Sequence, residues 1–89
     1  MRASDVPRAL VTHGLHFPAD QRDAVVASLR ERKAALRAHE CNYWVFEDRA
    51  LPGVMLEFFE ARDDHTLVRA RTAAGADARD QPILSEVEL

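Results

Sequence analysis

The 89-residue chain has a single cysteine, Cys41, which excludes an intrachain disulfide and leaves nothing to indicate an oxidising compartment. No apolar run approaches the roughly 18 residues that a membrane span requires, and the start of the chain has no basic-then-apolar leader pattern. A cytoplasmic setting without a membrane partner is therefore expected. The glycine-rich loops that cradle phosphate are absent from the sequence. So is any four-ligand metal pattern. His13 and His16 stand three apart on an expected strand and point to opposite faces, and His39 near Cys41 is no better placed. Neither a metal nor a cofactor is expected. Clustered positive charge is also lacking: the net charge is -3 and the pI about 5.7, which argues against nucleic acid as a partner. Arg22, Arg30, Arg32, Lys33 and Arg37 are interleaved with Asp23, Glu31 and Glu40, the pattern of a solvated helix face.

What is present is an ordinary globular composition, 47% hydrophobic and 30% charged. No internal repeat or low-complexity linker divides it, so residues 1–89 read as one domain with 1–7 as a frayed lead-in. A chain of this length buries only about 60 to 65% of its unfolded surface, a modest core for which oligomerisation is one remedy.

Arg8 to His16 reads as a strand, followed by Phe17-Pro18. Pro18 suits a first helical turn, and Asp20 and Asp23 suit the positive end of the helix dipole. The first helix should run to about Ala38 with Val25, Val26, Leu29 and Leu36 as its apolar stripe. Residues 41–47 and 54–60 read as two strands joined through Pro52-Gly53, an antiparallel hairpin. Asp63 or Asp64 should cap a second helix with Leu67 and Val68 among its apolar positions, ending near Gly75. A polar loop and a last strand from Pro82 complete the order β, α, β, β, α, β. The expected class is thus α+β, ferredoxin-like, with a four-stranded antiparallel sheet.

The hairpin is apolar on both faces. If Glu47 lies opposite Val54, one face holds Cys41, Tyr43, Val45, Val54, Leu56 and Phe58, and the other Asn42, Trp44, Phe46, Met55 and Phe59. Two helices cover one face only, and a soluble monomer rarely leaves several hundred Å2 of apolar surface exposed. A two-fold, face-to-face homodimer answers this. The alternative is that the C-terminal strand and loops cover the hairpin.

In its layout the chain resembles the dimeric α+β barrel superfamily, in particular its antibiotic-biosynthesis-monooxygenase-like members. The resemblance is carried by Asn42-Tyr43-Trp44-Val45-Phe46-Glu47-Asp48, by Pro52-Gly53, by Phe58-Phe59-Glu60, and by Asp63 or Asp64 opening a helix. Members of that family oxidise polycyclic phenols with O2 and no cofactor, degrade haem, or act on small signalling and quinone compounds. The resemblance implies a pocket between helices and sheet, where Asn, Trp and Tyr side chains hold substrate; Asn42, Trp44 and Tyr43 are of the matching types. Haem degraders place a histidine on the second helix, where this chain has Ala70 or Arg71, with His65 a turn or more earlier. That departure speaks against haem.

Asn42, Trp44 and Glu57 are expected to share a face, where an amide and an indole N–H beside a carboxylate would orient an enolisable phenol and take its proton. His13 is a further acid–base candidate. Tyr43, Phe46, Met55 and His16 complete the expected substrate contacts. The plainer reading makes Trp44 a packing residue and Asn42 a strand-end cap. Glu60 is expected to pair with Arg62 or Arg69. Two function classes remain open. One is a monooxygenase-like enzyme acting on an aromatic or quinone-like small molecule. The other is a non-catalytic dimer, either binding a small molecule as ACT domains do or purely structural.

Overall fold

The computed structural model describes residues 6–76 and 81–89. Period-two alternation lays down strands β1 (Ala9–His16), β2 (Asn42–Glu47) and β3 (Val54–Ala61), with a short β4 (Leu84–Ser85). Helices α1 (Arg22–Ala38) and α2 (Asp64–Ala73) complete the βαββαβ order. The strands form one antiparallel sheet in the order β2-β3-β1-β4, consistent with a ferredoxin-like fold. No described helix is long and apolar enough to cross a membrane.

Two expectations change here. The C-terminal strand predicted from Pro82 onward is reduced to Leu84–Ser85, paired with Leu10 and Ala9. The hairpin register is also one residue away from the one assumed, with Glu47 opposite Met55 rather than Val54. A single-residue slip exchanges the faces of a whole strand. Facing the helices are Tyr43, Val45, Met55, Glu57 and Phe59, and facing away are Asn42, Trp44, Phe46, Val54, Leu56 and Phe58. Both faces remain apolar, so the exposed sheet surface survives the correction: Trp44 is 48% exposed, Phe46 61% and Leu56 47%.

Helix α1 buries Leu29 and Leu36 against the sheet, with Val25 and Val26 packed beside them. A 3-10 turn at Ala19–Gln21, entered from Pro18, leads into it. Helix α2 buries Leu67 and Ala70 but leaves Val68 exposed, so only part of the expected stripe meets the core. Its N-terminus is capped as anticipated, the Asp63 carboxylate accepting a 2.7 Å hydrogen bond from the Thr66 amide. The first five residues of the lead-in and residues 77–80 of the polar loop lie outside the described residues.

The hairpin turn is pinned to the β1–α1 corner. The Phe17 amide donates to the Gly53 carbonyl at 2.9 Å, and Gly53 has φ 78°. A Cβ at this glycine would lie 2.1 Å from the Phe17 carbonyl oxygen, which is backbone and cannot swing aside. Both the positive φ and the close approach therefore demand glycine. Gly53→Ala is expected to destabilise the fold by more than about 2 kcal/mol, read as a lower urea midpoint; a midpoint equal to wild type would contradict this packing.

Candidate functional site

A charged residue in mid-strand between two core residues is the most unusual placement in the chain. Glu57 follows Met55 and precedes Phe59 on the helix-facing side of β3, and it is fully buried. A carboxylate there must find donors, because burying an unpaired charge costs many kcal/mol. Three elements supply them. His13 is its direct cross-strand partner on β1, and His13 Nδ1 lies 2.8 Å from Glu57 Oε2. Tyr43, diagonal to it on β2, donates its hydroxyl to Oε1. Arg32 reaches down from α1, and its Nη1 donates to the same oxygen at 2.5 Å.

Burial pushes the Glu57 carboxyl up, yet the hydrogen bonds from Tyr43, His13 and Arg32 outweigh it and hold the group below the usual glutamate value. Glu57 is therefore an anion at neutral pH, and an anion only accepts. It follows that His13 carries its proton on Nδ1 and leaves Nε2 unengaged by this carboxylate. Burial raises the Tyr43 phenol, and its bond to Glu57 raises it further, so it stays a neutral donor.

Beside this cluster lies a cavity of about 170 Å3 lined by His13, Arg32, Glu57, Phe59, Arg71 and the start of the segment after α2. Arg71 is buried on α2, its guanidinium 4.6 Å above the Phe59 ring centroid. Its Nη2 also donates to the Gln81 side chain at 2.6 Å. His13, held by a carboxylate, thus lines a small cavity that also has two guanidinium groups in its wall. Among the described residues no group of three or more His, Cys, Asp or Glu side chains is arranged to hold a metal ion.

The candidate residues divide between the two sheet faces. His13, Tyr43, Glu57 and Met55 lie on the helix side, where the first three touch one another through Glu57. Asn42, Trp44, Phe46 and His16 lie on the open side, so Asn42 and Trp44 do not share a face with Glu57. The one-residue register change is the cause. Asn42 instead donates to Glu60 Oε1 at 2.9 Å, and Glu60 pairs with Arg8 rather than Arg62 or Arg69. His13 and His16 do point to opposite faces, as their spacing requires. Burial raises the Cys41 thiol, which suits an inert core position.

Arg32 and Arg71 were the residues missed. Arg32 stands among the cations of the solvated basic face, yet it falls in the 25, 29, 32, 36 spacing of the apolar stripe, and an arginine in such a stripe must find a buried anion. Arg71 is buried on α2, while His65 is exposed at the start of that helix.

No family model matches the chain, and no curated protein matches it significantly. Among solved structures it is similar to Rv0793 from Mycobacterium tuberculosis, at 20% identity and a TM-score of 0.62, covering 93% of this chain and 95% of that one. It is likewise similar to PA3566 from Pseudomonas aeruginosa, at 21% identity and a TM-score of 0.63, covering 96% of each chain. These likenesses support the small α+β fold over nearly its full length.

The lowered Glu57 value sets a sign for acid stability. A depressed carboxyl contributes its full support above its unfolded value, about 4.3, and loses it as pH falls through the folded value. Glu57→Gln should cost about 3 kcal/mol at pH 7 in urea unfolding, since it leaves Arg32 without its anion. The variant should also lose less stability than wild type on acidification below pH about 4. An acid profile parallel to wild type would refute the assignment.

Proposed function

We propose that the chain is a homodimeric, monooxygenase-like enzyme of the antibiotic-biosynthesis-monooxygenase type that needs no cofactor, and that its site is the His13–Glu57 pair. The observation that carries this reading is the buried carboxylate bonded to His13 Nδ1 beside a cavity walled by Arg32 and Arg71. In it, His13 Nε2 takes a proton from a methylene carbon activated by a neighbouring phenol ring or carbonyl. Glu57 holds the imidazole in position and stabilises the imidazolium that forms. Arg71 and Arg32 stabilise the carbanion or phenolate left behind. That electron-rich anion reduces O2 itself: the methylene becomes a carbonyl with one oxygen atom, and the other oxygen leaves as water with the two hydrogens.

A cavity of about 170 Å3 is smaller than the roughly 300 Å3 at which small-molecule pockets usually begin, which favours a single-ring substrate over a polycyclic one. Where haem degraders place their ligating histidine this chain has Ala70 or Arg71, neither of which ligates iron as a histidine does. Oxygen uptake with a panel of single-ring phenols, quinols and enolisable diketones tests the reading. Uptake should exceed buffer with at least one member, and His13→Ala should lower kcat/KM by about 10²- to 10⁴-fold. No uptake across the panel, or full activity in the variant, would sink it. The small cavity also favours a second reading, a non-catalytic binding dimer, and saturable calorimetric binding of a panel member without turnover would select that one.

The dimer draws its support from the open sheet face, where Trp44, Phe46, Leu56, Phe58 and Leu84 form an apolar surface that the chain's own helices do not reach. Sedimentation velocity at micromolar concentration should give a particle of twice the 10.0 kDa chain mass. Leu56→Lys, in the middle of this face, should weaken association by about thirtyfold or more. A wild-type particle of one chain would end the dimer reading.

A further inference from the structure

One ridge of α1 is cationic at both ends and apolar between. Arg22, Val26, Leu29, Lys33 and Arg37 recur three or four residues apart, so they fall along one side of the helix. The ridge overlooks β2 across a groove of about 450 Å3. Val26 and Leu29 meet Val45 and Met55 there, and the four make an apolar floor. The volume lies within the roughly 300 to 1,000 Å3 typical of small-molecule pockets. Among the described residues, the groove shares no lining residue with the His13–Glu57 cavity.

The cations at the two ends of the groove are held differently. At one end Arg22 is committed to Glu47: its Nε and Nη2 donate to the two carboxylate oxygens at 2.9 Å each. This forked pair ties the start of α1 to the end of β2. At the other end Lys33 and Arg37 form no ion pair among the described residues, and neither does Arg30 on the rim. There the groove adjoins, at Lys33, Tyr43 and Trp44, a recess of about 120 Å3 that Arg37 and Asn42 also line. An apolar trough neutralised at one end and positive at the other is complementary to an apolar chain with one anionic head. Burial on the floor attracts the chain, and the cations select the head. From Val26 to Lys33 the helix advances about 10 Å, a distance that a chain of about eight carbons spans.

We propose that this groove binds an apolar monocarboxylate, its chain lying on Val26, Leu29, Val45 and Met55 and its carboxylate held between Lys33 and Arg37, with Arg30 alongside. The site goes beyond the His13–Glu57 reading and does not depend on it. Tyr43 links the two places, because it borders the groove and also gives its hydroxyl to Glu57.

Octanoate titrated into the chain at neutral pH tests it, followed by calorimetry and by the fluorescence of Trp44, the sole tryptophan. One octanoate per chain should bind, half-saturating at or below about 1 mM. Octan-1-ol has the same chain without the charge and should bind at least about tenfold more weakly; acetate has the charge without the chain and should not saturate in the same range. Lys33→Glu with Arg37→Glu, both at exposed positions, should weaken octanoate at least about tenfold and leave octan-1-ol within about threefold of wild type. Circular dichroism would verify that the variant is folded. Equal affinity for octanoate and octan-1-ol, or octanoate binding indifferent to the charge reversal, would overturn the proposal. Lack of saturable octanoate binding would overturn it as well, and a charge reversal that then altered the sedimentation of the ligand-free chain would give the groove to a second copy instead.

Discussion

A single buried negative charge organises the helix side of this molecule. Glu57 sits in the central part of β3, away from water, and its placement obliges three other segments to bring donors to it. Arginine 32 ties α1 to the sheet, Tyr43 ties in the edge strand, and His13 ties in the strand on the other side. These are hydrogen bonds to a charged group in a low-dielectric setting, so they are worth more than neutral ones and strongly orient their donors. Replacing the set by packed apolar residues would serve stability equally well. Such an arrangement therefore says more about positioning than about holding the fold together.

The consequence for chemistry is a histidine whose orientation is settled by its neighbour. One ring nitrogen is committed to the carboxylate, and the same residue lines a cavity whose wall also carries guanidinium groups. Proton removal needs an oriented acceptor and a stabiliser for the charge left behind. Both stand within one side of one sheet, on residues from four different elements. The opposite side of the same sheet is also apolar but exposed, and it carries large aromatics such as Trp44 and Phe46. The fold thus keeps the buried charge cluster and its cavity on one side of the sheet and an exposed apolar surface on the other.

Much of this architecture was legible in the residues. Strand-type alternation, the Pro52-Gly53 turn and the Asp63 cap place β1, β2, β3 and α2 within a residue or two of where they occur, while α1 begins at Arg22, after a 3-10 turn, and not at Pro18. The β4 strand is shorter than expected because residues 83–89 alternate like a strand, while among the described residues the ladder with β1 takes in Leu84 and Ser85. The hairpin register could not be read from a pattern that is apolar on both sides, since a slip by one residue leaves an equally apolar picture. That ambiguity moved Asn42 and Trp44 to the wrong side of Glu57 and concealed the cluster that does form. Glu57 and His13 were singled out as chemistry-bearing, but their pairing depends on the β1–β3 register, which no local pattern encodes. Arg32 was concealed by its surroundings, a helix in which four neighbouring cations are exposed and this one reaches inward.

The close seat of Gly53 against Phe17 has a practical corollary for anyone wishing to decorate the molecule. Hairpin tips are the customary places to graft epitopes, reporters or linkers, yet this tip shares its backbone with the corner that launches α1, the helix that carries Arg32. Extra residues inserted after Pro52 would pull on that corner and, through the helix, on the arginine that clasps the buried carboxylate. The exposed stretch at Asp48–Ala50, where Asp48 closes its own small turn onto the amides of Ala50 and Leu51, gives such a graft a base with hydrogen bonds of its own.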